Sequence, residues 1–187
     1  MLNTIFGSFS EGVAPVVTGN YDSIATVTVG SGGASEVNFT SIPSTYTHLQ
    51  IRGIFRGASG GLDLNQFRIN ADTGSNYATH LLQGNGSTVS ASERTANTVA
   101  INGDNQPGSS STANAFGSSV IDILDYANTN KYKTVRHLGG VDMNGSGVVN
   151  FGSGLWMSTS AITAFRIFTF GVDFAQYTQF ALYGVRG

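Results

Sequence analysis

The chain beyond residue 20 consists of short runs of β-branched and aromatic residues separated by turns rich in glycine, serine and asparagine. Within a run such as residues 36–40 the side chains alternate between polar and apolar, as in a strand with one buried face. Between two later runs, the Asn144-Gly145 pair favours a tight hairpin turn because both residues tolerate a positive φ. The pattern predicts an all-β fold, an antiparallel β-sandwich of jelly-roll type with about eight to ten strands.

Charge and cysteine content argue against several classes of function. Charged residues make up 11% of the chain, whereas an ordinary soluble domain has about 25%. The 9 lysines and arginines and the formal net charge of −2 argue against binding nucleic acid, which needs a basic surface. The chain has no cysteine and therefore no disulfide and no thiolate metal site. We expect no cofactor and no metal, and the lack of a long apolar run predicts no membrane partner.

The first 20 residues differ in pattern from the rest, so we predict an N-terminal arm of residues 1–20 and a sandwich domain of residues 21–187. Four apolar residues of the arm have the i, i+3, i+4, i+7 spacing of one helix face: Leu2, Ile5, Phe6 and Phe9. A helix this short is marginal alone. The stripe therefore packs on the protein's own core or docks on a neighbouring subunit, unless the arm is disordered.

A second candidate contact lies in the predicted strand of residues 164–170. Phe165 and Ile167 share one face of this strand, and Phe168 and Phe170 share the other. A strand that is apolar on both faces is buried on both faces. We expect the second face to be covered either by loops of the same chain or by a partner, which makes Phe168 and Phe170 candidate interaction residues.

Residues 84–116 have the weakest pattern in the chain. They are rich in serine, threonine, asparagine and glycine, and only residues 98–101 are typical of a strand. The sequence predicts a long polar connection here, of the kind that is either functional or mobile.

Motifs typical of enzymes or metal sites occur, but each has a simpler interpretation. Residues 57–61 match the G-x-S-x-G pattern of hydrolases, yet no helix can follow the glycines as that motif requires. Residues 70–76 carry oxygen side chains at alternate positions but lack the later glutamate of a calcium loop, so a tight turn is predicted. The spacing of the three histidines is not that of metal ligands; they are His48, His80 and His137. The three aspartates lie in strand or turn patterns; they are Asp122, Asp125 and Asp142.

Several distinctive stretches run through the predicted sandwich. The most specific are residues 29–35 (VGSGGAS) and 39–52 (FTSIPSTYTHLQIR), and others are residues 68–70, 72–77, 125–131 and 182–185. Together they resemble a family of virion structural proteins of tailed bacteriophages. The resemblance implies a β-sandwich on the virion surface, commonly a homotrimer, and it implies no catalytic residues.

We therefore expect a head decoration (cement) protein that binds the major capsid protein or other virion proteins as a homo-oligomer, with a trimer favoured. Its expected location is the virion, after synthesis in the host bacterial cytoplasm. The alternative is a tail or fibre protein whose loops, at residues 57–63 and 84–116, bind a receptor such as a glycan. A polysaccharide-degrading enzyme that uses Asp122 is the third hypothesis, and we expect no enzymatic activity.

Overall fold

A computed structural model describes residues 19–187, which contain twelve strands and no helix. The strands are β1 (Tyr21–Thr28), β2 (Glu36–Phe39), β3 (His48–Phe55), β4 (Leu62–Ile69), β5 (Tyr77–Gly84), β6 (Val89–Thr98), β7 (Ile101–Pro107), β8 (Gly117–Leu124), β9 (Lys133–Asp142), β10 (Gly147–Trp156), β11 (Phe165–Thr169) and β12 (Gln179–Val185).

The strands form two sheets of unequal width. The large sheet has eight strands in the order β1-β12-β3-β8-β9-β10-β5-β6, and the small sheet has four in the order β2-β11-β4-β7. Every paired neighbour is antiparallel. The prediction of an all-β antiparallel sandwich is confirmed, with two strands more than the upper predicted number, and the jelly-roll connectivity stays a prediction.

The prediction of a long polar connection with a single strand-like run in residues 84–116 is wrong. Strand β6 and strand β7 occupy most of this segment, and residues 98–101 include the turn between them. Strand β7 carries polar side chains in buried positions, among them Asp104 and Gln106. Hydrophobic periodicity cannot detect such a strand, because the buried side chains are not apolar.

The core between the sheets accounts for some of the glycines within strands. A Cβ atom at Gly53 would lie 2.4 Å from the ring of Phe180, and one at Gly152 would lie 2.0 Å from the ring of His137. A side chain at either position would have to displace a buried ring. Glycine thus allows the rings to lie directly on the backbone of the neighbouring strand.

The Asn144-Gly145 turn joins β9 to β10, and the hairpin prediction is confirmed. Asn144 has φ 59° and Gly145 has φ 105°. The backbone N–H of Met143 donates to the carbonyl of Ser146 at 2.7 Å, which closes the turn. The two positive φ values match the twist of the flanking strands.

Tyr77 connects the core to the loop that follows β4. Its buried hydroxyl accepts a hydrogen bond from the backbone N–H of Ile69 at 3.1 Å and lies 3.1 Å from the carbonyl of Asp72, to which it can donate. Burial raises the pKa of Tyr77 from 10.0 to about 12. Burial also raises the pKa of Tyr126, whose hydroxyl donates to the carbonyl of Pro43.

We predict that the free energy of unfolding decreases as the pH rises from about 10 to about 12. The tyrosine ionises near its ordinary pKa in the unfolded chain, but only near pH 12 in the folded protein, so stability that is complete below pH 10 is lost across this window. Replacing Tyr77→Phe should remove part of this loss, on the order of 2 kcal/mol. Urea unfolding of the original chain and of the variant at pH 8, 10, 11 and 12 measures the loss of stability.

The exposed Tyr177 provides the matched control. Tyr177→Phe should leave the alkaline loss of stability unchanged. If Tyr77→Phe and Tyr177→Phe had the same pH profile, the buried hydroxyl would not be responsible.

Candidate functional site

A row of four exposed apolar side chains crosses the outer face of the large sheet, the face that points away from the small sheet. Val120 on β8 is paired with Leu138 on β9, Leu138 with Phe151 on β10, and Phe151 with Leu82 on β5. Residues paired in this way project from the same side of a sheet. All four are between 40% and 56% exposed. We call Val120, Leu138, Phe151 and Leu82 the apolar row.

Most charged side chains beside the apolar row are paired with one another, whereas Arg52 on β3, the cross-strand neighbour of Val120, lies over the rings of Tyr21 and Tyr183. Two residues further along the strands, Asp122 and Arg136 are cross-strand neighbours with an Nη2–Oδ2 distance of 3.4 Å. On the same line across the sheet, Nε2 of His80 lies 3.3 Å from Oε2 of Glu93. Opposite charges thus stand next to each other on this flank of the row.

The other flank carries no charged side chain. Its glycines lack side chains, which leaves a groove beside the row. Here Ser118, Gly140, Val149, Gly84 and Val89 follow one another across β8, β9, β10, β5 and β6. A groove of about 780 Å³ runs over these glycines and is also lined by Leu138. A second groove of about 420 Å³ lies around Phe151 and Leu82 at the far end of the row. Contiguous exposed apolar surface of this kind is a candidate interaction site.

The apolar row does not include the interaction residues predicted from the sequence. Leu2, Ile5, Phe6 and Phe9 lie outside the described residues, so the interaction predicted for them stays a prediction. Phe168 is only 4% exposed, because the guanidinium groups of Arg68 and Arg166 lie 4.8 Å and 4.6 Å from its ring centroid. Phe170 packs edge-on against Phe168 and is 61% exposed. Side chains of the same chain thus cover the outer side of Phe168.

The G-x-S-x-G match at residues 57–61 is a turn that leads into strand β4, with no helix after it. Its Gly60 carbonyl accepts hydrogen bonds from the backbone N–H and the hydroxyl of Ser110, at 2.9 and 2.8 Å. The strained strand-to-helix turn that exposes a nucleophilic serine in hydrolases does not occur at this position.

Each histidine has its own carboxylate partner, so the three do not form one site. His48 pairs with Asp125, His80 with Glu93, and His137 with Asp104. Among the residues that the structure describes, no group of three or more His, Asp or Glu side chains could hold a metal ion.

The three aspartates considered as catalytic candidates from the sequence each bind a different partner and do not form one site. Asp122 accepts a hydrogen bond from Gln50 on the outer face, whereas Asp125 follows β8 with a positive φ and pairs with Lys131. The hydrogen bond from Lys131 lowers the pKa of Asp125. Asp142 accepts from the backbone N–H of Asn144 at the start of the hairpin turn.

The predicted turn at residues 70–76 is confirmed, and its carboxylate oxygens are occupied by protein donors. Oδ1 of Asp72 accepts from the N–H of Gly74 at 2.8 Å, and Oδ2 accepts from Asn76 at 2.9 Å and from Nε1 of Trp156 at 2.7 Å. Burial alone would raise the pKa of Asp72, but these hydrogen bonds together lower it. They fix the loop to β10.

The sequence gives no sign of the buried polar cluster between the sheets. Oδ2 of Asp104 accepts from the hydroxyl of Ser119 at 2.5 Å, and Oδ1 lies 2.9 Å from Nδ1 of His137. Serine, histidine and aspartate also form the catalytic triad, but there the histidine lies between the other two and removes the proton of the serine. Here the aspartate is central, and Asp104 and His137 are 0% exposed. The cluster joins β7 to β8 and β9.

Lys133 is a second buried polar group that sequence patterns did not identify. Its ammonium group donates to the carbonyls of Asn128, Lys131 and Thr159 at 2.6, 2.9 and 3.1 Å. Burial, with a smaller effect from the charge of Lys131, lowers the pKa of Lys133. The lysine thereby holds the β8–β9 connection against the segment after β10.

Comparisons of the chain with protein-family models, with curated proteins and with solved structures found no match. Residues 19–187 include no helix with the length and apolar character needed to cross a membrane.

We predict that Asp104→Ala lowers the free energy of unfolding by about 3 kcal/mol, because it leaves the buried Ser119 and His137 without their shared partner. Asp122→Ala removes a carboxylate from the exposed pair with Arg136 and should cost less than about 1 kcal/mol. Urea unfolding of both variants at neutral pH compares the two. Equal losses would show that the buried cluster contributes no more to the free energy of unfolding than the exposed ion pair does.

Proposed function

We propose that this protein is a structural component of a bacteriophage particle, a head decoration protein that binds the capsid shell as a homo-oligomer. The single observation that supports a role in protein binding most strongly is the apolar row with its glycine-lined flank. Such a surface is suited to contact with a partner protein, because the row and this flank carry no charged side chain and few hydrogen-bonding side chains that would have to be desolvated. The bacteriophage setting comes from the sequence resemblance.

We infer a jelly roll with two inserted hairpins from the order of the strands. Without β5, β6, β9 and β10, the sheets have the orders β1-β12-β3-β8 and β2-β11-β4-β7. Among these eight strands every connection crosses to the other sheet, except the one from β4 to β7. Jelly rolls of eight strands in two sheets are a common architecture of viral capsid domains, which supports the proposal.

The inserted hairpins supply most of the candidate binding face. Strands β9, β10, β5 and β6 extend the large sheet beyond β8. Three residues of the apolar row lie on these strands, namely Leu138, Phe151 and Leu82, and only Val120 belongs to the eight-stranded unit. The insertions thus enlarge a capsid-type sandwich on the side that we propose for docking.

The first test is the location and number of copies on purified particles. A decoration protein should be present in hundreds of copies, by quantitative mass spectrometry. A dozen or so copies would contradict decoration and favour a part of the tail.

The binding face is tested by charge substitution within the apolar row. Leu138→Asp and Phe151→Asp should each weaken binding to particles lacking the protein by about tenfold or more, because each places a charge in the buried centre of the contact. Leu124→Asp is the matched control, since Leu124 is a similarly exposed residue of the same face at the end of β8. Unchanged binding of folded Leu138→Asp and Phe151→Asp variants would exclude this face.

A second candidate function, receptor binding by a tail or fibre protein, is favoured by one observation. The loop of residues 57–61 lies against residues 107–116, joined by hydrogen bonds between Gly57 and Pro107 and between Ser110 and Gly60. The guanidinium of Arg56 supports this cluster by donating to the carbonyls of Thr112 and Ala115. A fixed loop cluster at one end of a sandwich is a common place for recognition.

The loop cluster is tested with a glycan array. If the second function is correct, the chain binds a glycan, and replacing residues 109–114 with alanine and glycine abolishes binding while Leu138→Asp does not. Absence of binding, or binding unaffected by the loop replacement, would exclude it.

A further inference from the structure

We propose that the outer face of the small sheet binds an acidic segment of a partner protein through Arg68, Arg166 and Phe170. In this segment a carboxylate pairs with the two guanidinium groups, and an apolar side chain two residues away packs on the phenylalanine ring. The surface lies on the opposite side of the sandwich from the apolar row. The inference does not depend on where the protein is located.

Two arginines stand directly opposite each other on this face. Arg166 on β11 is paired with Arg68 on β4, and the Cβ atoms of residues paired in this way are about 5 Å apart. Like charges in such a position destabilise a sheet. Both guanidinium groups lie on the ring of Phe168, at 4.8 Å from its centroid for Arg68 and 4.6 Å for Arg166. The face thus concentrates positive charge in one place, at a cost that a bound anion would reduce.

The chain's own carboxylates neutralise only one of the two arginines. Glu36 on β2 forms an ion pair with Arg166. Among the described residues Arg68 forms no ion pair, and its Nε donates to the carbonyl of Val99 at 3.1 Å. The carboxylate of Asp72, in the turn after β4, is occupied by the donors described above. The terminal nitrogens of Arg68 are therefore open to a carboxylate from outside, which a guanidinium binds with two parallel hydrogen bonds.

Phe170 provides an apolar contact beside the arginines. It follows β11, is 61% exposed and packs edge-on against Phe168. The guanidinium of Arg68 and the rings of Phe168 and Phe170 thus follow one another at spacings of 4.8 Å and 5.7 Å. In an extended peptide, side chains two residues apart project on the same side and are separated by about 7 Å. An acidic and an apolar residue at this spacing can therefore reach the arginine and the exposed ring together.

The hydrogen-bonding groups of the face favour a protein segment over a glycan. The amide of Asn38 donates to Glu36 at 2.6 Å, and the amide of Gln66 donates to Asn102 at 3.2 Å. Because these groups already bind one another, the hydroxyl groups of a sugar would lose water without gaining partners. A carboxylate and an apolar side chain need only the two arginines and the exposed ring. Arginine and aromatic residues are also enriched in protein interfaces.

A pentapeptide probe tests the proposal. It carries one glutamate and one leucine two positions apart in a threonine background. Two matched probes carry glutamine in place of the glutamate, or alanine in place of the leucine. NMR titration of the isotope-labelled full chain measures the affinity for each probe. We expect the first probe to shift the backbone amide signals of β4 and β11 and to bind about fivefold or more tightly than either matched probe.

Variants assign the two contacts separately. Arg68→Gln should abolish the preference for glutamate over glutamine. Arg136→Gln is the matched control, because it removes the same charge from the outer face of the large sheet and should keep that preference. Phe170→Ser alters a side chain that is already exposed, so the fold should be retained. It should abolish the preference for leucine over alanine and keep the preference for glutamate.

Other occupants of the face give different results. If only a disaccharide that contains glucuronate shifts these signals, the ligand is an acidic glycan. If the signals shift with protein concentration alone, the occupant is a second copy of the chain. Either result would overturn the proposal, as would equal binding of the three peptides, no binding, or an unchanged preference in folded Arg68→Gln. Because no particles are used, the outcome stays separate from the particle-binding test of Leu138→Asp.

Discussion

The carboxylate of Asp104 holds together two sheets of unequal width. It lies on β7, the edge strand of the small sheet, and binds Ser119 and His137 on β8 and β9 of the large sheet. Strand β7 also packs across β10 and β5. Four strands cannot cover eight, and this polar joint lies where β7 covers the inner faces of β8, β9 and β10. The inserted hairpins, which carry most of the apolar row, pack on the rest of the molecule through β7 as well as through β8.

How far the sequence predicts the fold depends on whether inner side chains are apolar. Strands β2, β8 and β10 and the hairpin at Asn144 followed from alternation and turn chemistry, which are local properties. Strand β7 did not, because its buried Asp104 and Gln106 are hydrogen-bonding or polar residues that resemble a loop. The sequence predicts that both faces of β11 are apolar. Phe168 on the second face is covered by Arg68 and Arg166. Their long side chains bury the aromatic ring while their charged groups stay near water.

The candidate binding face could not be predicted, because its residues come together only through the strand order. Val120, Leu138, Phe151 and Leu82 lie on four strands, and the chain order of β5 gives no sign that it neighbours β10. Within each strand these residues are one or two exposed apolar side chains on the outer face, a common feature of soluble proteins. The low charge of the sequence leaves part of the surface without charged side chains, but composition does not say which part.

The short turn between β9 and β10 has a consequence for the identity of the exposed surface. Side chains alternate strictly along a strand, so a shift of pairing by one residue exchanges the two faces. In the present register Leu138 and Phe151 point outward while His137 and Gly152 point inward. If the pairing of one of these strands shifted by one residue, its apolar side chain, Leu138 or Phe151, would point into the interior. A shift of β9 would also place the imidazole of His137 on the surface. The Asn144-Gly145 turn thus determines which side chains of β9 and β10 are exposed to solvent, as well as where the chain reverses.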